Sequence, residues 1–194
     1  YDATFPAFDC GDSVNWYVSV DTLDGDIVVS PAGAPSNSWN ALAYSGSEVI
    51  FDDDFQNDQG WSVDASAGTG NWDRAVPSTG GVRCDAPSDA DGSGMCYVTG
   101  NSTDEDVDDG TTTLTSPAMD ASGSPILSYY RWYNAGSTCS GFAVDDTFTV
   151  EFSTDDGQTW MNLETVGPGD SEASGEWYFT EFDLGTLTGF VPSD

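Results

Sequence analysis

The residues best suited to chemistry in this sequence are carboxylates grouped ahead of glycines. The first group consists of Asp85, Asp89 and Asp91, followed by Gly92 and Gly94. Oxygen ligands at alternating positions before a residue that permits a sharp turn suit calcium, which takes about six to eight hard oxygen ligands on a flexible loop. The spacing therefore predicts a calcium site.

A second acidic group lies between residues 104 and 109, directly before Gly110. It comprises Asp104, Glu105, Asp106, Asp108 and Asp109. Carboxylates this close repel one another, and a bound cation is the simplest remedy. Neither group is a complete EF-hand loop, because the glutamate of the twelfth position and the flanking helices are missing. The alternative is that both groups are solvated acidic loops.

Enzyme chemistry has few candidate residues here, because the chain contains no histidine and no lysine. A serine nucleophile such as Ser13 or Ser171 has neither residue type to accept its proton. A glycosidase-type pair of carboxylates remains conceivable, but no motif distinguishes one pair among 34 acidic residues. We therefore expect the protein not to be an enzyme.

The four cysteines are Cys10, Cys84, Cys96 and Cys139, and their spacing fits no zinc or redox motif. Structural disulfides are the expected use. Cys84 and Cys96 bracket the first acidic group, so we predict that they form a bridge that holds this loop closed. Cys10 and Cys139 are then left as the remaining pair.

The net charge of -31 restricts the partners and the surroundings. It excludes nucleic acids and anionic membranes by long-range repulsion, and its self-repulsion requires divalent cations or high salt. No apolar run is long enough to cross a membrane. These features predict a secreted or cell-surface protein without membrane insertion.

The elements that must position the acidic groups are strands, because apolar and polar residues alternate and no helical period persists. Residues 14–20 alternate, and Asp24-Gly25 supplies a tight turn before residues 27–29, which predicts a β-hairpin. A loop at 30–38 and a seam at 44–47 follow. Residues 1–44 are therefore expected to be an incomplete immunoglobulin-like or fibronectin-like β segment.

The remainder, residues 48–194, has the short strands and glycine-rich turns of a β-sandwich. This domain is expected to start at residues 48–51 and to lack its last strands. Residues 126–133 carry aromatic residues on both faces and are expected to form a central strand buried on both sides. In residues 147–153, Phe148, Val150 and Phe152 should face inward, as in a sheet with one solvated face.

Residues 153–160 fit the S-x-D-x-G-x-T-W pattern of an Asp-box. Asp155 and Gly157 should fix a hairpin turn, the first by hydrogen bonds to the backbone and the second by a permissive φ, with Trp160 packed beneath. The motif is interpreted as a structural turn and not as a catalytic element.

Three aromatic residues, Trp72, Tyr130 and Trp132, are candidates for stacking on sugar rings. Stacking requires that they share an exposed sheet face. The alternative is that they belong to the core, where large rings usually lie.

The ordered set of segments FDDDF (51–55), NWDRAVP (71–77), SDADGSGMCYVTGN (88–101), DVDDGTTTLTSPAMD (106–120), LSYYRWYN (127–134) and VEFSTDDGQTWMNLE (150–164) resembles a family of secreted bacterial multi-domain proteins. These carry a jelly-roll, lectin-like module related to MAM domains, preceded by an immunoglobulin-like or fibronectin-like domain. The resemblance implies a non-catalytic, calcium-stabilised jelly-roll sandwich. It places calcium ligands at Asp54, Asp91, Asp106 and Asp108.

Together these features predict a non-enzymatic, calcium-stabilised extracellular β-sandwich that acts as a structural or adhesive module. Its expected partners are other copies, bound by strand donation into a filament, or neighbouring domains of a longer chain. The alternative function is a carbohydrate-binding, lectin-like accessory module of a secreted hydrolase or peptidase, with glycans as ligands.

Overall fold

The protein is described by a computed structural model that covers residues 5–43, 46, 48–78, 84–102, 105–123, 125–135 and 146–190. Within these residues the chain is almost entirely β, with antiparallel strand pairs and a single 3-10 turn. The predicted all-β class is thus confirmed, whereas the jelly-roll topology stays a prediction. The chain divides into two units, Tyr1–Val49 and Ile50–Asp194.

The first unit contains two separate strand pairs within its described part, residues 5–43, 46, 48 and 49. Its strands are β1 (Ser13–Trp16), β2 (Val18–Asp21), β3 (Ile27–Ser30) and β4 (Trp39–Leu42). The predicted hairpin forms between β2 and β3, and Gly25 adopts the left-handed φ of 87° that the turn requires. Residues 14–20 do not form one continuous strand, because β1 pairs instead with β4, with Trp16 opposite Trp39.

The second unit contains four antiparallel pairs among its described residues: β5 with β8, β6 with β7, β9 with β12 and β10 with β11. Their bounds are β5 Ser62–Ala65, β6 Trp72–Ala75, β7 Cys96–Thr99, β8 Thr112–Thr115, β9 Ile126–Asn134, β10 Phe148–Phe152, β11 Met161–Val166 and β12 Ser174–Asp183, after which Leu184–Thr186 form the 3-10 turn. Residues 48–51, where the second domain is expected to start, contain the division between the two units and form no strand.

Strands β9 and β12 form the longest pair, and their register sorts the side chains onto two faces. Tyr130 lies opposite Phe179 and Trp132 opposite Trp177 on one face, while Arg131 lies opposite Tyr178 on the other. The first face is partly open to solvent, since Tyr130 is 54% exposed. The prediction that β9 is buried on both sides is therefore wrong: alternation places aromatic rings on each face, but only one face is covered.

The covered face of β9 is joined to β11 by a buried ion pair. Arg131 is 4% exposed, and its Nε and Nη2 donate to the two carboxylate oxygens of Glu164 at 2.7 and 3.0 Å. The hydroxyl of Tyr129 donates to the same carboxylate at 2.6 Å, and Nη2 also contacts Glu172. This bidentate geometry is the one in which a guanidinium binds a carboxylate most strongly.

Among its described residues, the second unit buries few apolar side chains, and these are small. The buried apolar residues in the described part of the chain are Ala86, Cys96, Val166, Ala173 and Leu184. None is larger than leucine, and the aromatic rings that dominate most cores are only half-buried or exposed here. Polar contacts such as the Arg131–Glu164 pair therefore carry an unusual share of the packing between strand pairs.

The β10–β11 pair has the alternation that the sequence predicts. Phe148, Val150 and Phe152 are partly buried, whereas Thr149 and Glu151 are exposed. Since successive side chains of a strand point to opposite faces, the apolar residues share the covered face.

Removal of the buried guanidinium should destabilise the second unit strongly. We expect Arg131→Met to lower the free energy of unfolding by about 3 kcal/mol, because it leaves the Glu164 carboxylate buried without its cation. Chemical denaturation monitored by tryptophan fluorescence measures this loss.

The double variant Arg131→Met/Glu164→Leu is the matched control, because it removes both charges and should recover much of the loss. Equal stability of the single and the double variant would contradict a buried ion pair between these two residues.

Candidate functional site

The first acidic loop, which runs from Cys84 to the start of β7 at Cys96, is bound to the β9–β12 pair through two tryptophans. The indole N–H of Trp132 donates to the carbonyl of Cys84 at 2.8 Å, and that of Trp177 donates to the carbonyl of Ser88 at 3.0 Å. Trp132 and Trp177 lie opposite each other on the outward face of the pair. These two hydrogen bonds hold the loop at Cys84 and Ser88, which are four positions apart in the sequence.

Ser93 connects the first acidic loop to the segment that contains Asp54. Its hydroxyl oxygen lies 3.2 Å from the Asp54 carbonyl oxygen and 3.2 Å from Asp89 Oδ2. Gln56 Nε2 donates to the same hydroxyl at 3.0 Å, and the N–H of Gly94 donates to Asp89 Oδ2 at 2.8 Å. Asp54 and Asp89 therefore meet around one serine, although 34 positions separate them in the sequence.

Asp91 lies next to this serine and interacts with Asp89. The pKa of the Asp91 carboxyl is lowered, first by the hydrogen bond from the Ser93 backbone N–H and then by the Ser93 hydroxyl and by Asp89. Asp89 itself is 8% exposed. Two acidic side chains in contact, one of them buried, repel each other unless a proton or a cation is shared between them.

The oxygen atoms around Ser93 are of the type that calcium prefers. The Asp89 and Asp91 carboxylates, the Asp54 carbonyl and the Ser93 hydroxyl supply hard oxygen donors. Among the described residues, however, no three acidic, histidine or cysteine side chains lie close enough together to hold a metal ion. The donor set therefore fits calcium only with main-chain, hydroxyl and water oxygens completing the shell.

The other predicted metal ligands lie elsewhere or cannot be placed. Asp106 and Asp108 face the 66–70 loop, where their carbonyls accept from the Thr69 hydroxyl and the Gly68 N–H at 2.9 Å each. No described contact brings them to Ser93. Asp85 is half-buried at the start of the first acidic loop, and Asp104 lies outside the described residues.

Many aspartates of this chain accept a hydrogen bond from the backbone N–H two residues further on. Among the described residues the same local bond occurs at six aspartates, namely Asp53, Asp54, Asp58, Asp91, Asp120 and Asp183. A short acidic side chain that turns back on its own backbone stabilises a tight turn. Part of the acidic composition is thus explained by turn formation, without any ligand.

The predicted disulfide between Cys84 and Cys96 is wrong. Cys96 is a free thiol at the start of β7, 6% exposed, and burial together with Asp89 and Asp91 raises its pKa to about 11. Cys84 is disulfide-bonded, but not to Cys96. Cys10 is a free, exposed thiol, and Cys139, its expected partner, lies outside the described residues. The first acidic loop is closed by hydrogen bonds at Ser93 and Gly94 instead of by a bridge.

Of the three stacking candidates, only Tyr130 is exposed. Trp72 is half-buried and its indole donates to the Thr112 carbonyl at 3.2 Å, while the indole of Trp132 binds the first acidic loop. Sequence reasoning missed Phe179, which is 56% exposed with its ring centroid 5.2 Å from that of Tyr130. Alternation at 126–133 and 174–183 marks aromatic residues on each strand, but only the register of the pair places these two side by side.

Two carboxylates at a cavity of the second unit bind a guanidinium. A cavity of about 210 Å³ is bordered by Arg131, Glu164, Asp170 and Glu172. Glu164 and Glu172 are both bound to Arg131, and Glu164 also accepts from Tyr129. These contacts explain both glutamates as partners of the guanidinium in the packing between strands.

The Asp-box segment forms the turn between β10 and β11. The Asp155 carboxylate accepts hydrogen bonds from the Thr159 N–H at 2.8 Å and from the Thr159 hydroxyl at 2.7 Å. The Gly157 N–H donates to the Ser153 hydroxyl at 2.8 Å. Gly157 has a φ of 76°, and a Cβ there would lie 3.3 Å from the Trp160 ring. The three predicted turn residues thus act within one hairpin.

No protein-family model, no curated protein and no solved structure matches the chain. The resemblance to secreted multi-domain proteins therefore stays a prediction. In the described part of the chain, no helix has the length and apolar character needed to span a membrane.

Acid should weaken the Asp-box turn. Hydrogen bonds from Thr159, and then from Ser153, lower the pKa of Asp155 below its ordinary value of 3.8. The unfolded chain therefore takes up this proton first, so the stabilisation is present above pH 3.8 and is lost as the pH falls through the lower native pKa. We expect Asp155→Asn to lose less stability than the parent between pH 5 and pH 3, as thermal melts at each pH can measure.

The control for this pH series is Asp156→Asn, which neutralises the neighbouring exposed aspartate of the same turn. Parallel pH profiles of the parent and Asp155→Asn would show that the Asp155 carboxylate is not the group responsible.

Proposed function

We propose that the protein is a non-enzymatic, extracellular β module of a surface or matrix assembly. Its first unit packs against another copy of the chain or a neighbouring domain, and its first acidic loop binds calcium. The observation that carries this proposal is the exposure of apolar strand residues in the first unit.

The β2–β3 hairpin leaves its apolar side chains in solvent. Val18, Val20, Ile27 and Val28 are between 47% and 67% exposed, and Leu23 at the turn is fully exposed. Full burial of such a side chain is worth about 1.5–3 kcal/mol, so a partner that covers this hairpin gains several kcal/mol of binding free energy. Single exposed apolar residues are common on protein surfaces. Several of them next to one another on one hairpin indicate an interaction surface.

The backbone of the hairpin supports the same mode of association. Within the described residues β2 and β3 pair only with each other, so each strand has an edge with free N–H and C=O groups. A strand from a partner can add to such an edge, with backbone hydrogen bonds providing affinity and apolar side chains providing register. At the β1–β4 pair of the same unit, a cavity of about 150 Å³ is lined by apolar residues that include Phe5, Phe8 and Trp16.

Calcium has a role in this proposal because the net charge of -31 opposes association between copies. A divalent ion at Asp89 and Asp91 relieves the local repulsion and fixes the first acidic loop on the β9–β12 pair. Millimolar calcium outside cells suits sites of modest affinity built from few charged ligands.

Calcium should stabilise the second unit through Asp91. Once free calcium exceeds the dissociation constant, each tenfold increase should add about 1.4 kcal/mol of stability to the parent, provided that only the native state binds. We expect Asp91→Ala to abolish this increment, as measured by thermal melts over a calcium series at constant ionic strength.

The matched control is Asp64→Ala, which removes an exposed aspartate of β5 that accepts no described hydrogen bond. If sodium at equal ionic strength stabilises the parent as much as calcium does, the acidic loop is an adaptation to salt and the calcium part of the proposal is withdrawn.

Association should depend on the exposed hairpin. Sedimentation velocity in millimolar calcium should show a mass that rises with protein concentration, and Val20→Glu should weaken this association at least tenfold by placing a charge in an apolar contact. The control Val63→Glu adds the same charge at an exposed valine of β5 in the second unit and should associate as the parent does.

A parent protein that stays monomeric at all concentrations would remove self-association from the proposal. The neighbouring domain would then be the only partner left for the hairpin.

A further inference from the structure

The outward face of the β9–β12 pair forms a ladder of four cross-strand rows. In order, the rows are Ile126–Asp183, Ser128–Glu181, Tyr130–Phe179 and Trp132–Trp177. The first acidic loop covers the tryptophan row through its two indole hydrogen bonds. The next row, Tyr130–Phe179, is open to solvent.

The open aromatic row is a two-ring surface. Tyr130 and Phe179 are 54% and 56% exposed, with centroids 5.2 Å apart and ring planes inclined by 55°. Neither side chain makes a described hydrogen bond. The π faces of such rings are negative, and they attract a cation placed within about 6 Å of a ring centroid.

The adjoining row provides a carboxylate. Glu181 follows Phe179 by two residues on the same face of β12, so the two side chains are neighbours about 7 Å apart along the strand. Its cross-strand partner is Ser128, whose small side chain leaves a notch between Ile126 and Tyr130. Both Ser128 and Glu181 are exposed. A cation in this notch meets the carboxylate on one side and the aromatic rings on the other.

We propose that this face binds a partner segment rich in arginine, with one guanidinium seated against Tyr130, Phe179 and Glu181. Arginine suits the site better than lysine, because its planar group stacks on rings and binds a carboxylate with two N–H groups at once. The net charge of -31 attracts such a segment from a distance and accelerates its binding.

Charge also decides between this partner and a second copy of the chain. The chain has three arginines and no lysine. Arg131 is buried in its ion pair, Arg74 is half-buried with Nη1 donating to the Phe55 carbonyl at 2.8 Å, and Arg83 lies outside the described residues. Another copy would therefore bring mainly negative charge to Glu181. The basic segment belongs to a different protein, which makes this inference independent of the self-association proposed for the first unit.

The test measures binding of a short peptide of alternating arginine and glycine by isothermal titration calorimetry at fixed ionic strength. The double variant Tyr130→Ser/Phe179→Thr leaves the net charge of the protein unchanged. Non-specific electrostatic attraction of the arginine peptide is therefore the same in the variant as in the parent. We expect this variant to bind about tenfold more weakly, from the loss of two cation–ring contacts. Tyr17→Ser, at an exposed tyrosine of the first unit, should bind as the parent does.

The carboxylate is tested by Glu181→Gln, for which we expect several-fold weaker binding and a smaller dependence on salt. Its matched control, Glu151→Gln, removes one exposed charge from β10 and should have little effect. A peptide with citrulline in place of arginine keeps the shape and loses the charge, and it should not bind.

Two outcomes overturn the inference. In the first, the aromatic double variant binds the arginine peptide as well as the parent does. Binding is then due to the overall negative charge of the protein and not to the two rings. In the second, a neutral glycan binds the parent and is lost in the double variant while arginine binding is unchanged, and the face is then a sugar site. Circular dichroism of each variant verifies that the exposed substitutions leave the fold intact.

Discussion

The packing of the second unit depends on one buried ion pair, in a chain that has almost no cations. Arg131 on β9 binds Glu164 on β11 in a two-pronged contact, and Tyr129 and Glu172 add to the same cluster. The centre of the Tyr178 ring lies 5.6 Å from the guanidinium carbon. Because the buried apolar residues of the described chain are few and small, this polar contact fixes how two strand pairs meet.

The rest of the negative charge is accommodated locally. Aspartates that bond to the backbone two residues ahead form turns, as Asp54 and Asp91 do before and within the first acidic loop. The same two segments then meet at Ser93, where oxygen atoms converge and where the proposed calcium ion would be bound. Turn formation and cation binding are therefore compatible uses of the same residues, the first within a loop and the second between loops.

Local patterns predicted the strands and turns well. Period-two alternation located β10 and the two faces of β9, and the Asp-box located the turn at Asp155, because these features depend on residues within a few positions of one another. The same reasoning failed for the Cys84–Cys96 bridge, since nearness in sequence does not bring two Cβ atoms together. It also failed for the second face of β9, because rings on both faces do not reveal which one is covered.

The sequence by itself determined the all-β class, the acidic turns and the lack of histidine and lysine side chains. These follow from composition and from hydrogen bonds between near neighbours. Only the tertiary structure decided that Asp54 joins Asp89 at Ser93, that Trp177 holds Ser88, and that Tyr130 and Phe179 form one open surface. Such contacts join positions up to 89 residues apart, and their free energy depends on register and packing that no local pattern encodes.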